Sequence, residues 1–196
     1  MGHRTLLYNI DYLYTDFDLK KYLSDMYILV EGNVIREIGS MGSALPEADK
    51  KIDQKGCIVL PGMVNTHHHF YQNLTRAIPV AEKTGILDWL KYMYCLWSFL
   101  RPGDIAVATK VAAAELLLTG CTYSTDFFYL FPDNRVEFFD EEIGAAGETG
   151  IRLHSFRGCL PVLEGRLRQE LADLNIDPSA LVEDKRQILC ETERVL

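Results

Sequence analysis

The sequence is poor in the features that would build a disulfide framework, a secretory signal or a membrane span. Its five cysteines are odd in number and widely spaced, and no two of them form a CxxC pair. This pattern favours free thiols in a reducing compartment. No apolar run reaches the roughly 18 residues that a transmembrane helix needs, and aspartates interrupt the first twenty residues, which is atypical of a secretory signal. We therefore expect a cytoplasmic protein.

Positive charge is also in short supply. The chain has 28 Asp and Glu against 20 Lys and Arg, which gives a formal net charge of −8. Nucleic acids and anionic membranes select basic surfaces, so neither is expected as the main partner. Hydrophobic residues make up 48% of the chain, which is enough for a sizeable core.

Histidine is scarce as well, yet three of the five histidines are consecutive, at positions 67–69. Residues two apart in an extended strand point to the same face, so His67 and His69 are expected to converge while His68 points away. Two neutral imidazoles at this spacing supply half of a divalent metal site. The alternative is a pair of hydrogen-bonded polar side chains at a strand end. We take His67 and His69 as candidate metal ligands.

The first 57 residues predict a β-rich domain, part of a β-sandwich. Short apolar runs stand at residues 6–10, 26–30 and 34–38, and the last two flank a Gly-Asn turn that is typical of a hairpin. Residues 40–55 are polar and broken by glycine and proline, and we assign no element to them.

From residue 58 onward the pattern alternates between strands and helices. Predicted strands include the histidine segment and residues 121–129 and 151–156, and predicted helices cover residues 84–100, 102–119, 133–148 and 181–196, with a charged connection at 161–178. Such alternation predicts a parallel sheet covered by helices. The expected fold class is α/β, with residues 58–196 forming the first part, about three βα units, of a TIM-like barrel.

These residues are too few for a complete eight-stranded barrel, which takes roughly 250 residues. Three strands cannot close a barrel, so the third strand would present an open edge. The simplest expectation is an N-terminal portion of a longer protein.

The run PGMVNTHHHFYQ at residues 61–72 resembles the amidohydrolase superfamily, in particular the branch of cytosine, guanine and 8-oxoguanine deaminases and s-triazine hydrolases. The likeness continues at residues 74–76, 114–118, 120–122, 129–132 and 157–158. The resemblance implies that His67 and His69 end the first barrel strand and bind one divalent metal, zinc or alternatively iron. It also implies two later histidines, an aspartate and a proton-shuttling glutamate. None of these has a counterpart here, so no catalytic residue is assigned.

The activity implied by the resemblance is hydrolytic deamination of a small heteroaromatic substrate, such as 8-oxoguanine, guanine, cytosine or an s-triazine. Without the remaining metal ligands, the isolated chain is expected to be inactive. Two alternatives stay open: a non-catalytic short paralogue that acts as an interaction module, and one half of a split enzyme. Homo-oligomers are common in this family.

Two residues are candidates for substrate binding. Gln72 follows the histidine strand, where related purine deaminases often place an amide that contacts the ring edge, although capping of a loop is an equal alternative. Arg157 ends the third strand and could bind a substrate carbonyl or form a salt bridge at the barrel rim.

Relatives often carry a histidine directly after the residue that corresponds to Asp126. This chain has Phe127 there instead, which weakens the case that the second strand contributes a polar group to the pocket.

Three further features have competing interpretations. His154 is expected to face the core or a helix. Four aromatic residues of the first helix predict a buried face, with the wall of a planar substrate as the alternative: Trp89, Tyr92, Trp97 and Phe99. Charges at helical spacing over residues 164–170 predict a solvated helix face.

Overall fold

The structure, a computed structural model, describes residues 2–16, 18 and 20–196. Tertiary contacts divide the chain into two compact units, Met1–Gly62 and Met63–Leu196. Both strands and helices are present, so the fold is mixed α/β. Among the described residues, no helix combines the length and the apolar character that a membrane crossing requires.

The first unit contains a four-stranded sheet in the order β4-β3-β1-β5 and a separate pair of short parallel strands, β2 and β6. The strands are β1 (Arg4–Ile10), β2 (Tyr12–Leu13), β3 (Met26–Glu31), β4 (Val34–Ser40), β5 (Lys50–Asp53) and β6 (Ile58–Val59). The hairpin prediction is confirmed, because Glu31 pairs with Val34 across a turn in which Gly32 has φ +61°. Strand β5 was not predicted, since its sequence KKID has one apolar residue. It forms by pairing in parallel with β1.

The second unit contains a three-stranded parallel sheet in the order β7-β8-β9. Its strands are β7 (Met63–Asn65), β8 (Cys121–Phe128) and β9 (Arg152–Arg157), and its helices are α1 (Ile86–Trp97), α2 (Pro102–Leu118), α3 (Glu137–Thr149), α4 (Gly165–Asp173) and α5 (Lys185–Val195). Short 3-10 helices lie at Phe70–Thr75, Pro132–Asn134 and Pro178–Leu181.

The bounds of α2 follow the local sequence. Pro102 is its first residue, where a missing N–H costs nothing. The carboxylate of Asp104 accepts a hydrogen bond from the backbone N–H of Arg101 at 2.9 Å, which caps the helix start. Gly120 follows the end with φ +84°, a conformation that favours glycine.

Helix α3 begins later than predicted. Asp133 does not cap it, because Asp133 adopts φ +54° within a separate 3-10 helix, and α3 starts only at Glu137. The predicted end is confirmed, since Gly150 follows the helix with φ +81°.

The main core of the second unit gathers aromatic side chains from α1, β8 and α3. Trp97 is fully buried, and Trp89 and Tyr92 pack partly buried against the same core. Phe99 was expected on this face, but α1 ends at Trp97 and leaves Phe99 72% exposed. In the charged connection, α4 buries Leu171 and leaves Arg166 and Arg168 exposed, as the helical spacing predicted, while Glu170 is half-buried.

Candidate metal centre

The two candidate metal ligands lie just beyond the C-terminal end of β7. The ladder of β7 ends at Asn65, yet the ring centroids of His67 and His69 lie 5.1 Å apart. The ring of His68 packs instead against Phe70, with the two centroids 4.7 Å apart. The structure therefore brings together the imidazoles that alternation was expected to pair, and their role as ligands stays a prediction.

A backbone carbonyl sets the orientation of His69. Its Nδ1 lies 2.7 Å from the carbonyl oxygen of Phe127. A carbonyl oxygen only accepts, so Nδ1 carries the proton and the lone pair of Nε2 stays free. Partial burial lowers the pKa of His69, and nearby His67 adds to this effect. A neutral imidazole held through Nδ1–H is the form that ligates divalent metals, so this residue fits such an ion.

Aromatic rings surround the histidine pair. The ring centroids of Tyr129, Phe127 and Tyr71 lie 5.6, 6.0 and 6.2 Å from that of His69. His67 lines a cavity of about 320 Å³, together with Phe127 and Phe156. Thr66, Thr125 and Asp126 also line this cavity, so its walls are part aromatic and part polar.

The same aromatic side chains leave no room for a side chain at Gly158. A Cβ at this position would lie 2.6 Å from Cζ of Phe127 and 2.9 Å from Cβ of Tyr129. Gly158→Ala is therefore expected to displace Phe127 and to lower the free energy of unfolding by about 1 kcal/mol. Urea denaturation measures this change. Gly144→Ala is the control, since its Cβ meets no atom within 4 Å, and an equal loss in both variants would contradict the prediction.

Gln72 is not brought into the cavity that His67 lines. It lies in the 3-10 helix Phe70–Thr75, where its backbone N–H donates to the carbonyl of His69 at 3.0 Å. Its side chain lines a different cavity, of about 340 Å³, that Trp89 also lines. Substrate binding by Gln72 stays a prediction.

Arg157 forms a buried ion pair. Its guanidinium bonds to the carboxylate of Glu183, with side-chain exposures of 4% and 0% for the two residues. It also donates to the carbonyl of Gly158 at 2.7 Å and lies 4.4 Å from the centroid of the Phe131 ring. This geometry favours the salt-bridge alternative, and substrate binding by Arg157 stays a prediction.

The expected position of His154 is wrong. His154 and Phe156 are exposed on one face of β9, with ring centroids 4.6 Å apart. Ser155 and Arg157 occupy the more buried face. The prediction that side chains of this strand alternate between two faces was correct. The buried face, however, is the one that carries Arg157, which forms its ion pair with Glu183 there.

Sequence analysis missed a buried acidic pair on β8 and α3. Asp126 and Glu142 are both 0% exposed. Burial raises the pKa of Asp126 to about 7. Burial also raises the pKa of Glu142 well above its usual value, and the nearby charge of Asp126 adds to this. The one available signal was helical spacing, because Glu142 stands four residues from both Phe138 and Ala146 on the buried face of α3.

The histidine pair lacks further ligands nearby. Over residues 2–16, 18 and 20–196, no group of three or more His, Cys, Asp or Glu side chains is placed to hold a metal ion. A complete tetrahedral or five-coordinate site needs more donors than His67 and His69 supply.

Comparisons with known proteins point to one family. The model of the amidohydrolase family matches residues 58–187. The chain is 36% identical over 169 residues to an 8-oxoguanine deaminase of Pseudomonas aeruginosa, an alignment that covers 86% of this chain and 36% of that protein. It is 30% identical over 166 residues to a hydroxydechloroatrazine ethylaminohydrolase of Pseudomonas sp. strain ADP, covering 82% of this chain and 33% of that protein.

A solved structure is similar over nearly the whole chain. A variant of atrazine chlorohydrolase from Arthrobacter aurescens TC1, complexed with zinc and atraton, matches with a TM-score of 0.79 and 26% identity, covering 97% of this chain and 42% of that one. The chain thus spans about a third of the length of these two curated relatives.

Proposed function

Because the chain belongs to the amidohydrolase family, we propose that it is the N-terminal part of a metal-dependent hydrolase that deaminates a small nitrogen heterocycle. The observation that carries this proposal is the orientation of His69, whose Nδ1–H is bound by the Phe127 carbonyl while Nε2 stays free beside His67. The two histidines would hold one divalent ion, with zinc as the first candidate and iron as the second. A relative of similar fold was crystallised with zinc.

The proposed layout has two parts: a β-sandwich portion over residues 1–57 and the first three βα units of a TIM-like barrel over residues 58–196. Strands β7, β8 and β9 support it, because they are parallel and adjacent in chain order, with α2 and α3 between successive strands. The histidine pair follows the C-terminal end of β7, where barrel enzymes of this type hold their active sites.

A cleft beside β9 also supports an incomplete barrel. It has a volume of about 780 Å³ and is lined by residues of β9, α3 and α5, including Ile143, Phe156 and Leu196. Exposed apolar side chains at an unpaired strand edge are typical of a surface that another segment covers. We propose that a fourth barrel strand would pack here, supplied by a longer chain or by a second polypeptide.

The residues of this chain prepare the site rather than complete the reaction. A bound zinc or iron ion supplies a Lewis acid that makes water nucleophilic at neutral pH. His67 and His69 offer nitrogen lone pairs, and Phe127 fixes the second ring through its carbonyl. The rings of Tyr71 and Tyr129 pack edge-on beside that of His69. A proton-shuttling carboxylate is not assigned, so catalysis by the isolated chain is not expected.

The proposed substrate is a planar aromatic ring with an amidine-like carbon. Relatives named for 8-oxoguanine and for an atrazine derivative share that chemistry, since both ring types carry a C–N bond beside a ring nitrogen. We put 8-oxoguanine or guanine first, because the 8-oxoguanine deaminase is more similar in sequence to this chain than the triazine enzyme is. Cytosine and s-triazines are the alternatives.

Zinc titration of the purified chain by calorimetry tests this proposal. One equivalent of zinc is expected to bind weakly, because two histidines supply half of a site. His67→Ala and His69→Ala are each expected to remove this binding, while His3→Ala, an exposed histidine of the first unit, leaves it unchanged. If each of the two single variants still bound zinc like the unchanged chain, the proposal that His67 and His69 form the metal site would be wrong. Ammonia release from 8-oxoguanine that depends on His67 would contradict the expected inactivity of the isolated chain.

A second candidate function is a non-catalytic interaction module. It is favoured by exposed aromatic residues on the open sheet face, where Phe127 and Phe156 are 44% and 48% exposed. Light scattering of the metal-free chain separates the two candidates. A stable, monodisperse oligomer that binds no zinc would favour the interaction module.

A further inference from the structure

We propose that Asp126 is a positioning residue for the metal site, because its buried carboxylate fixes the chain segment that carries His69. This inference deepens the proposed function and rests on it. Two neighbouring residues of β8, Asp126 and Phe127, together hold the three consecutive residues 68–70.

Three hydrogen bonds make this connection. The N–H of Phe127 donates to the carbonyl of His68 at 3.0 Å, and Nδ1–H of His69 donates to the carbonyl of Phe127 at 2.7 Å. The backbone N–H of Phe70 donates to Oδ1 of Asp126 at 2.6 Å. A shift of this segment along β8 would carry the His69 ring off the Phe127 carbonyl, and the third bond resists that shift. It is also the one bond of the three that a side-chain substitution can remove while leaving His69 itself unchanged.

The Phe70 N–H needs this partner. Phe70 is the first residue of the 3-10 helix Phe70–Thr75, and the first N–H groups of a helix have no acceptor within it. His69 occupies the capping position but makes no side-chain cap. Asp126 caps the turn from a neighbouring strand instead, through its side-chain oxygen Oδ1.

Burial of Asp126 argues that this bond is specific. The residue is 0% exposed, and its Oδ2 has no hydrogen-bond partner among the residues that the structure describes. A buried carboxyl with one free oxygen is costly for the fold. Within the described structure, the bond from the Phe70 N–H is the one hydrogen bond of the Asp126 side chain, and it offsets part of this cost.

Two substitutions separate the acceptor from the charge. Asp126→Leu removes the acceptor and is expected to weaken zinc binding by about 10- to 100-fold, the usual effect of losing a group that orients a ligand. Asp126→Asn keeps Oδ1 and is expected to bind zinc like the unchanged chain. Glu142→Met is the matched control, because it also removes a fully buried carboxyl group, and Glu142 makes no hydrogen bond to residues 68–70.

The ring of His69 gives a readout that general destabilisation would not produce. Nitrogen-15 NMR of the metal-free chain reports which ring nitrogen carries the proton. The unchanged chain, Asp126→Asn and Glu142→Met are expected to show His69 protonated at Nδ1, and Asp126→Leu a mixture of both tautomers. If Asp126→Leu does not fold, hydrogen exchange of the Phe70 amide in the unchanged chain decides instead. Slow exchange supports the bond to Asp126, and unprotected exchange overturns the proposal.

Failure of the metal site and failure of this inference give different results. If His67→Ala and His69→Ala bind zinc as the unchanged chain does, the metal site itself is wrong. If both lose zinc while Asp126→Leu binds like Glu142→Met and keeps the Nδ1–H tautomer, the metal site stands and the role of Asp126 is overturned.

Discussion

Arg157→Met is expected to lower the free energy of unfolding by about 3–5 kcal/mol, because it leaves the Glu183 carboxylate buried without a partner. The pair has side-chain exposures of 4% for Arg157 and 0% for Glu183, so water cannot replace the lost guanidinium. Burial already raises the pKa of Glu183 against the pull of Arg157. The carboxylate therefore depends on this partner to stay ionised.

Urea denaturation of single and double variants tests this argument. Arg157→Met combined with Glu183→Met is expected to recover most of the lost stability, since it removes both buried charges. Arg76→Met is the exposed control: it breaks a bidentate pair with Glu115 whose side chains are 55% and 49% exposed. That change is expected to cost less than about 1 kcal/mol. Equal losses for Arg157→Met and Arg76→Met would contradict the burial argument.

The outcome also bears on substrate binding. A large loss of stability in Arg157→Met means that the guanidinium is a structural group joining the end of β9 to the segment before α5. A negligible loss would instead return Arg157 to the candidates for contact with a substrate carbonyl.

The local sequence was sufficient to predict those features that depend on a few neighbouring residues. Helix α2 lies between Pro102 and Gly120 because proline fits a helix start and glycine the left-handed residue after its end. The close approach of the His67 and His69 rings was predicted from the two-residue alternation of side chains along a strand. The prediction held although β7 itself ends at Asn65, before either histidine. Each of these signals is complete within the segment that carries it.

Contacts between distant residues could not be predicted in this way. Alternation predicted that side chains of β9 point to two opposite faces, but it did not predict which face is buried. The buried face is the one on which Arg157 bonds to Glu183, which lies 26 residues later in the chain. Strand β5 forms by pairing with β1, more than forty residues earlier in the chain. The orientation of His69 depends on the backbone carbonyl of Phe127, which has no signature in the side-chain sequence.

Glu142→Met is expected to raise the free energy of unfolding, by on the order of 3 kcal/mol at pH 7, because the carboxyl group is fully buried and, within the described part of the chain, neither oxygen has a hydrogen-bond partner. The gain should depend on pH. Burial and the nearby charge of Asp126 raise the pKa of Glu142 in the folded chain. Below the unfolded pKa both states are protonated, so the gain is limited to the cost of burying an unpaired neutral carboxyl group, whereas at higher pH only the unfolded state ionises readily and folding is opposed further.

Urea denaturation of Glu142→Met and the unchanged chain, at pH 4 and at pH 7, measures this dependence. The stability difference between the two chains is expected to be smaller at pH 4 than at pH 7 and to grow as the pH rises. Glu137→Met, an exposed residue of the same helix, is the control and should show no comparable growth. Asp126 stays in both chains, but it loses the neighbouring Glu142 carboxyl group in the variant, so the difference between the two chains reports the acidic pair rather than Glu142 alone. A gain that shrinks with rising pH, or a loss of stability at pH 7, would show that the Glu142 carboxylate is compensated in the folded chain.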